Sequence, residues 1–205
     1  MALSTEVAKR LLQIKAIKLS PQNPFTWASG IKSPIYCDNR IVLTYPEARN
    51  FVRDALVKKA DQFGEYDLIA GVATAGIAHG ALLADATNMP FIYVRGKAKG
   101  HGRQNLIEGE VKGGEKVLVV EDLISTGGSS VKAVEAVREA GCEVVGVLAI
   151  FTYGFEKAER TFAAANCKYD TLSNYETLLQ EAIKSGYISE SDLQVLNDFR
   201  TEVGK

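Results

Sequence analysis

A chain of 205 residues with 46% hydrophobic and 24% charged residues has an ordinary globular composition and is long enough to bury one sizeable core. Its formal net charge of -1 argues against a general attraction to nucleic acid or to an anionic membrane surface, so any anion site has to be built locally. Three cysteines (Cys37, Cys142 and Cys167) in no paired or metal-type spacing, and an N-terminus without an unbroken apolar run, point to reduced thiols in a cytoplasmic protein with no membrane span.

The first element is a helix capped by Ser4, with Val7, Leu11, Leu12, Ile14 and Ile17 at helical spacing. Leu19 to Arg40 holds three prolines and no clear period, which predicts an ordered loop or short strands. Pro46 to Phe63 is helical again, with Pro46 in the first turn. Then apolar runs and helical stretches alternate. DLIAGV is a strand, AGIAHGALLADAT a helix, PFIYVR a strand and EKVLVVED a strand; a helix follows from about Gly128 to Ala140, then the strand CEVVGVLAIF. Val- and Ile-rich runs separated by helices predict βαβ units. The expected fold is therefore α/β, a mostly parallel sheet flanked by helices, in a single domain over residues 1–205. Its core spans about 67–165. The last 35 or so residues read as helical with no strand, and a small cap is expected from about 1–40 and 166–205.

The most informative stretch is VLVVEDLISTGGSS, Val117 to Ser130. A buried strand ends on two carboxylates, Glu121 and Asp122, and a loop from Leu123 to Gly127 opens a helix. Ligands of open α/β sheets bind at the carboxyl ends of strands. A loop of Ser, Thr and Gly before a helix supplies N–H donors and the helix dipole to a phosphate. Acids beside a phosphate need another partner, and ribose hydroxyls or a magnesium ion are such partners. Taken singly, Ser125 reads as a cap and Asp122 as a solvated strand end; together the residues ask for a ribose 5-phosphate. The stretch is not a Walker loop, since no Gly-Lys-Ser/Thr follows.

This stretch resembles the phosphoribosyl-pyrophosphate signature of the type I phosphoribosyltransferases. The resemblance implies that Glu121, Asp122, Leu123, Ile124, Ser125, Thr126, Gly127, Gly128 and Ser129 hold phosphoribosyl pyrophosphate, with Asp122 also catalytic. Arg95 to Arg103, RGKAKGHGR, carries a cation or imidazole at every second position, with no acid before Glu108. Alone it reads as a self-repelling, solvated surface loop or a nonspecific nucleic-acid patch. With NLIEGEV after it, it resembles the catalytic loop of orotate phosphoribosyltransferases, matching at Arg95, Lys99, His101 and Gly102. That likeness implies that Arg95 and Lys99 hold the leaving pyrophosphate, that His101 assists, and that the loop serves the other subunit of a homodimer.

Phe25, Thr26, Ser29, Gly30, Ser33 and Pro34 match a further signature of the same family, which separates orotate enzymes from those for other bases. The family implies orotate and phosphoribosyl pyrophosphate as substrates, Mg2+ carried by the substrate with no directly assigned metal ligand, and a place in UMP biosynthesis. GVATAGIAHG, Gly71 to Gly80, is similar to the family's loop near the pyrophosphate; His79 within it reads as structural. The chain departs from the family pattern at Ala28 and Ala75, where many members have lysine, and near Tyr153, where many have arginine. Ser125 and Tyr36 are expected to bind orotate, and backbone amides near Tyr36, the hydroxyl of Ser125 or Lys32 are the candidates to meet its carboxylate. The rival readings are a transferase for another base, a phosphoribosyl-pyrophosphate-sensing regulator and a binding module without catalysis. A regulator that grips nucleic acid needs a helix-turn-helix or a basic face, and neither is evident.

Overall fold

The computed structural model describes residues 2–27, 29–97 and 106–205. In chain order the elements are α1 (Leu3–Gln13), β1 (Ile17–Leu19), β2 (Phe25–Thr26), β3 (Lys32–Ser33), β4 (Ile35–Cys37), a 3-10 turn over Asn39–Thr44, α2 (Pro46–Ala60), β5 (Leu68–Val72), α3 (Ala75–Thr87), β6 (Phe91–Val94), β7 (Ile107–Glu108), β8 (Lys116–Ile124), α4 (Gly128–Glu139), β9 (Glu143–Thr152), α5 (Glu156–Ala164), β10 (Tyr169–Asn174), α6 (Tyr175–Lys184) and α7 (Leu193–Val203).

One sheet organises the molecule. Its order is β10-β9-β8-β5-β6-β7, parallel throughout except for β7, which runs antiparallel to β6. Alternate residues point to opposite faces. Leu118, Val120, Leu148 and Ile150 belong to the core on one side, while Val117, Val119, Val147 and Ala149 belong to the core on the other. Both faces are covered, which is why β5, β8 and β9 are written as nearly continuous apolar runs. Fully burying each larger side chain contributes roughly 1.5–3 kcal/mol. The strand β8 and helix α3 meet backbone to backbone: a Cβ on Gly76 would lie 2.6 Å from the main-chain oxygen of Val120.

Three expectations are corrected. Helix α1 starts at Leu3, so Ser4 lies inside it and its hydroxyl reaches Ser173 and Thr177 rather than capping; Ile17 belongs to β1. Residues 169–174 form β10 on the sheet edge beside β9, so the sheet runs past residue 165 and the tail is not all helix. The acid-bearing strand β8 runs on through Leu123 and Ile124, which pair with Phe151 and Thr152.

The two chain ends do meet. Helix α1 packs on α6 and β10, burying Val7, Leu11 and Leu12. The antiparallel pairs β1–β4 and β2–β3 carry the intervening segment to the carboxyl ends of β8 and β9, where Trp27 stacks on Tyr153 with ring centroids 5.5 Å apart.

Candidate active site

The strand β8 delivers Glu121 and Asp122 to opposite sides of the sheet, since successive strand residues alternate. Glu121 turns under α4. It is 4% exposed and accepts hydrogen bonds from Ser129 Oγ (3.2 Å), Ser130 Oγ (3.3 Å) and the main-chain N–H of Asp122 (3.1 Å). Burial, then the negative charge of Asp122, pushes its carboxyl well above the ordinary carboxylate range, so it favours the protonated form. Asp122 is half-buried, and of the two it is the acid open to a ligand. Of the two acids expected to hold the sugar substrate, Glu121 is buried and Asp122 is the more accessible.

After Ile124 the chain leaves the sheet over Ser125 and Thr126 and turns at Gly127, whose φ of 79° is left-handed. A Cβ there would also lie 3.0 Å from the Phe162 ring, so glycine is needed for both conformation and space. Among the described residues, no acceptor takes the N–H groups of Ser125, Thr126 or Gly127. Helix α4 begins at Gly128, so the unfilled N–H groups of its first turn follow directly. That is an anion-binding arrangement. Ile124, expected to touch the sugar phosphate, is fully buried instead, and its carbonyl accepts from Thr152 Oγ1 at 3.1 Å.

Two cavities border this segment. At one end Ser125 lines a cavity of about 410 Å3 together with Leu123, Tyr153, Tyr36, Cys37, Thr26 and Trp27. Trp27 is anchored by its Nε1–H to the Ile35 carbonyl at 3.0 Å, and Tyr153 stacks in turn on Phe155. Burial, with the negative charges of Asp122 and Asp38, raises the Cys37 thiol well above its usual range, so it stays protonated and contributes a wall rather than a nucleophile. At the other end Ser129 lines a cavity of about 280 Å3 with Ala73, Arg95 and Lys132. Arg95 is placed there by its N–H to the Leu106 carbonyl (2.8 Å) and by its ion pair with Glu108 (3.2 Å).

The fold thus brings together Tyr36, Leu123 and Ser125 at one cavity and Arg95 and Ser129 at the other. Lys99, His101 and Gly102 lie outside the described residues, as does Ala28. Sequence reasoning passed over Asn39. It is fully buried, its Nδ2 donates to the Asp122 carbonyl, and its own carbonyl accepts from His79 Nε2 at 3.2 Å. Burial lowers the His79 pKa, so the ring is neutral and Nε2 carries its proton. The only signal in the sequence was an Asn before an apolar run, which commonly marks nothing more than a turn.

Comparison with known proteins bears on this geometry. Residues 41–185 match the phosphoribosyl transferase domain family. An orotate phosphoribosyltransferase of Bacteroides thetaiotaomicron is 59% identical over 196 residues, which are 95% of this chain and 92% of that one. The chain belongs to the orotate phosphoribosyltransferase family. A second relative of the same name, from Cytophaga hutchinsonii, is 53% identical across 100% of this chain and 98% of its own. The crystal structure of orotate phosphoribosyltransferase from Aeropyrum pernix superposes with a TM-score of 0.77 at 29% identity, covering 89% of this chain and 99% of that one. The acid-bearing strand, the N–H groups after it and the aromatic cavity adjoin one another.

Proposed function

We propose that this chain transfers the 5-phosphoribosyl group of phosphoribosyl pyrophosphate to N1 of orotate, yielding orotidine 5′-monophosphate and pyrophosphate on the route to UMP. One observation carries the reading: the Ser125–Ser129 segment, suited to a phosphate, borders an aromatic cavity at one end and, at the other, a cavity whose wall holds Arg95 and Lys132 beside Glu135. The naming of close relatives as orotate phosphoribosyltransferases supports it.

In this reading the 5-phosphate takes the N–H groups of Ser125, Thr126 and Gly127 and the start of α4. Asp122 accepts from the ribose hydroxyls, and Glu121 holds Ser129 and Ser130 in place beneath. The planar base lies among Trp27, Tyr36, Leu123 and Tyr153. The leaving diphosphate faces Arg95 and, on the family resemblance, Lys99 and His101. As the glycosidic carbon gains positive charge and the departing oxygens gain negative charge, these groups act by position and electrostatics. Water exclusion matters because the activated sugar hydrolyses readily.

On the family resemblance, magnesium enters on the substrate's own oxygens, with Asp122 as a candidate protein partner. Such an ion would neutralise the leaving charge. We also infer a homodimer in which the basic loop serves the partner's site. A cytoplasmic location agrees with the three free cysteines.

The test is an absorbance assay of orotate with phosphoribosyl pyrophosphate and magnesium. Orotate is expected to be consumed, and adenine, hypoxanthine and uracil are expected to remain. No loss of orotate, or equal turnover of another base, overturns the reading.

A further inference from the structure

The base proposed above carries a carboxylate, yet among the described residues the aromatic cavity has no cation in its wall. The hairpin at its rim supplies one. Thr26, which lines the cavity, is the cross-strand partner of Lys32. Directly paired residues of an antiparallel ladder project from the same face. The Lys32 ammonium donates to Thr26 Oγ1 at 2.7 Å, so the charge stands one hydroxyl away from the cavity.

Of the other cations of this neighbourhood, Arg40 is engaged. Arg40 makes two hydrogen bonds to the Asp38 carboxylate, at 2.6 and 2.8 Å. Lys18 pairs across from Tyr36, and its charge acts on Asp38 too, helping to hold that carboxyl below its usual range after the larger effect of Arg40. Among the described residues no carboxylate lies within ion-pair distance of Lys18 or Lys32, but of the two it is Lys32 that donates to a residue of the cavity wall. Its ammonium has three donors, and the threonine hydroxyl takes one.

Resting on the orotate reading, we propose that Lys32 is the specificity-determining residue that receives the carboxylate of the base, with Thr26 orienting it. An ammonium is a point charge, so it can meet a carboxylate at the cavity mouth without the planar fork of an arginine. The hydroxyl between cation and cavity fixes where that charge is offered. The chemistry recognised is a planar heterocycle bearing an anionic group on its solvent-facing edge.

The experiment compares orotate with its neutral methyl ester, measured as KM for orotate and as the inhibition constant of the ester at saturating phosphoribosyl pyrophosphate. Loss of a charge-assisted contact in Lys32→Ala is expected to raise KM for orotate about tenfold or more. The constant for the ester should stay within about twofold, because an uncharged group gains little from the lysine. Lys32→Arg should restore most of the discrimination. An equal weakening of orotate and ester would mean that Lys32 only shapes the hairpin, and would overturn the assignment. So would an unchanged KM in Lys32→Ala, or the selective loss appearing in Lys18→Ala instead. A native chain that consumes orotate while Lys32→Ala is silent overturns this assignment alone; a native chain that consumes none overturns the function and the assignment with it.

Discussion

Asn39 donates through Nδ2 to the main-chain oxygen of Asp122 at 2.7 Å, from a position with no solvent exposure. The 3-10 turn over Asn39–Thr44 is thereby bonded to the strand that bears the acid, and His79 on α3 holds the same residue through its carbonyl. Its Oδ1 is buried with no hydrogen-bond partner among the described residues, a cost accepted for holding the donor in place. Asn39→Ala leaves the Asp122 carbonyl and the His79 ring less well held. We expect it to lower unfolding free energy by about 1–3 kcal/mol. It should also reduce kcat/KM for phosphoribosyl pyrophosphate beyond the fraction unfolded. Denaturant titration and steady-state kinetics on the same preparation check both, and a variant matching native in each would show that the brace is idle.

Asp122 offers its side chain to the site while its main chain stays in the β8–β9 ladder. Asp122→Asn keeps shape and removes charge. We expect kcat/KM to fall about a hundredfold or more, as when a charged transition-state partner is lost, with a melting temperature shifted by only a few degrees at most. An early melt with activity tracking the folded fraction would make the acid structural.

Much of this was legible because of burial on both faces: Leu68 to Val72 and Val117 to Val120 have no polar residue to interrupt them, and the sheet needs none. The misreadings follow from the same rule. Only Leu172 and Ser173 of β10 are buried, and its polar residues at the sheet edge hide the strand among loop-like letters. Helix α5 buries only Ala158 and Phe162, too little to show a period. Glu121 and Asp122 looked like a strand end because charges seldom sit within a ladder, yet Leu123 and Ile124 still had neighbours on β9 to pair with. At the site, the acids and glycines could be found from chemistry. The division of roles between Glu121 and Asp122 could not, because it depends on which face of β8 lies under α4. The approach of Lys32 to Thr26 needed the hairpin register, which no local pattern encodes.

Glu121 makes a pH prediction. Its folded pKa is raised above the unfolded value, so between the two the folded state holds the extra proton and stability falls as pH rises. Glu121→Gln cannot ionise and escapes that loss. Its melting temperature should therefore gain on native as pH is raised from about 5 to about 8. The amide can still accept from Asp122 N–H and donate to the hydroxyls of Ser129 and Ser130. A gap between variant and native that stays constant across the range, or moves the other way, would mean that Glu121 ionises in the folded protein as freely as in the unfolded chain.

On the family resemblance, the partner's site is served by Lys99 and His101 of the basic loop. Arg95 at its start is held by Glu108 on β7, the sheet edge, so the loop departs from the rim of the fold rather than from its centre. Lys99→Ala removes a diphosphate cation, and Asp122→Ala removes the ribose acid. Each variant alone should be nearly inactive. Mixed and allowed to exchange subunits, they form dimers of both kinds. If the loop crosses to the neighbour, one site of each mixed dimer carries both defects and the other carries none. Random pairing in a two-fold dimer then restores about a quarter of native sites. If the loop serves its own subunit, every site keeps one defect and nothing returns. Native mass spectrometry must show the mixed dimer before activity is read. Mixed dimers with no recovered activity would place the loop over its own chain and leave the transfer of phosphoribose to orotate standing, whereas recovery toward a quarter would mean that neither subunit completes a site alone.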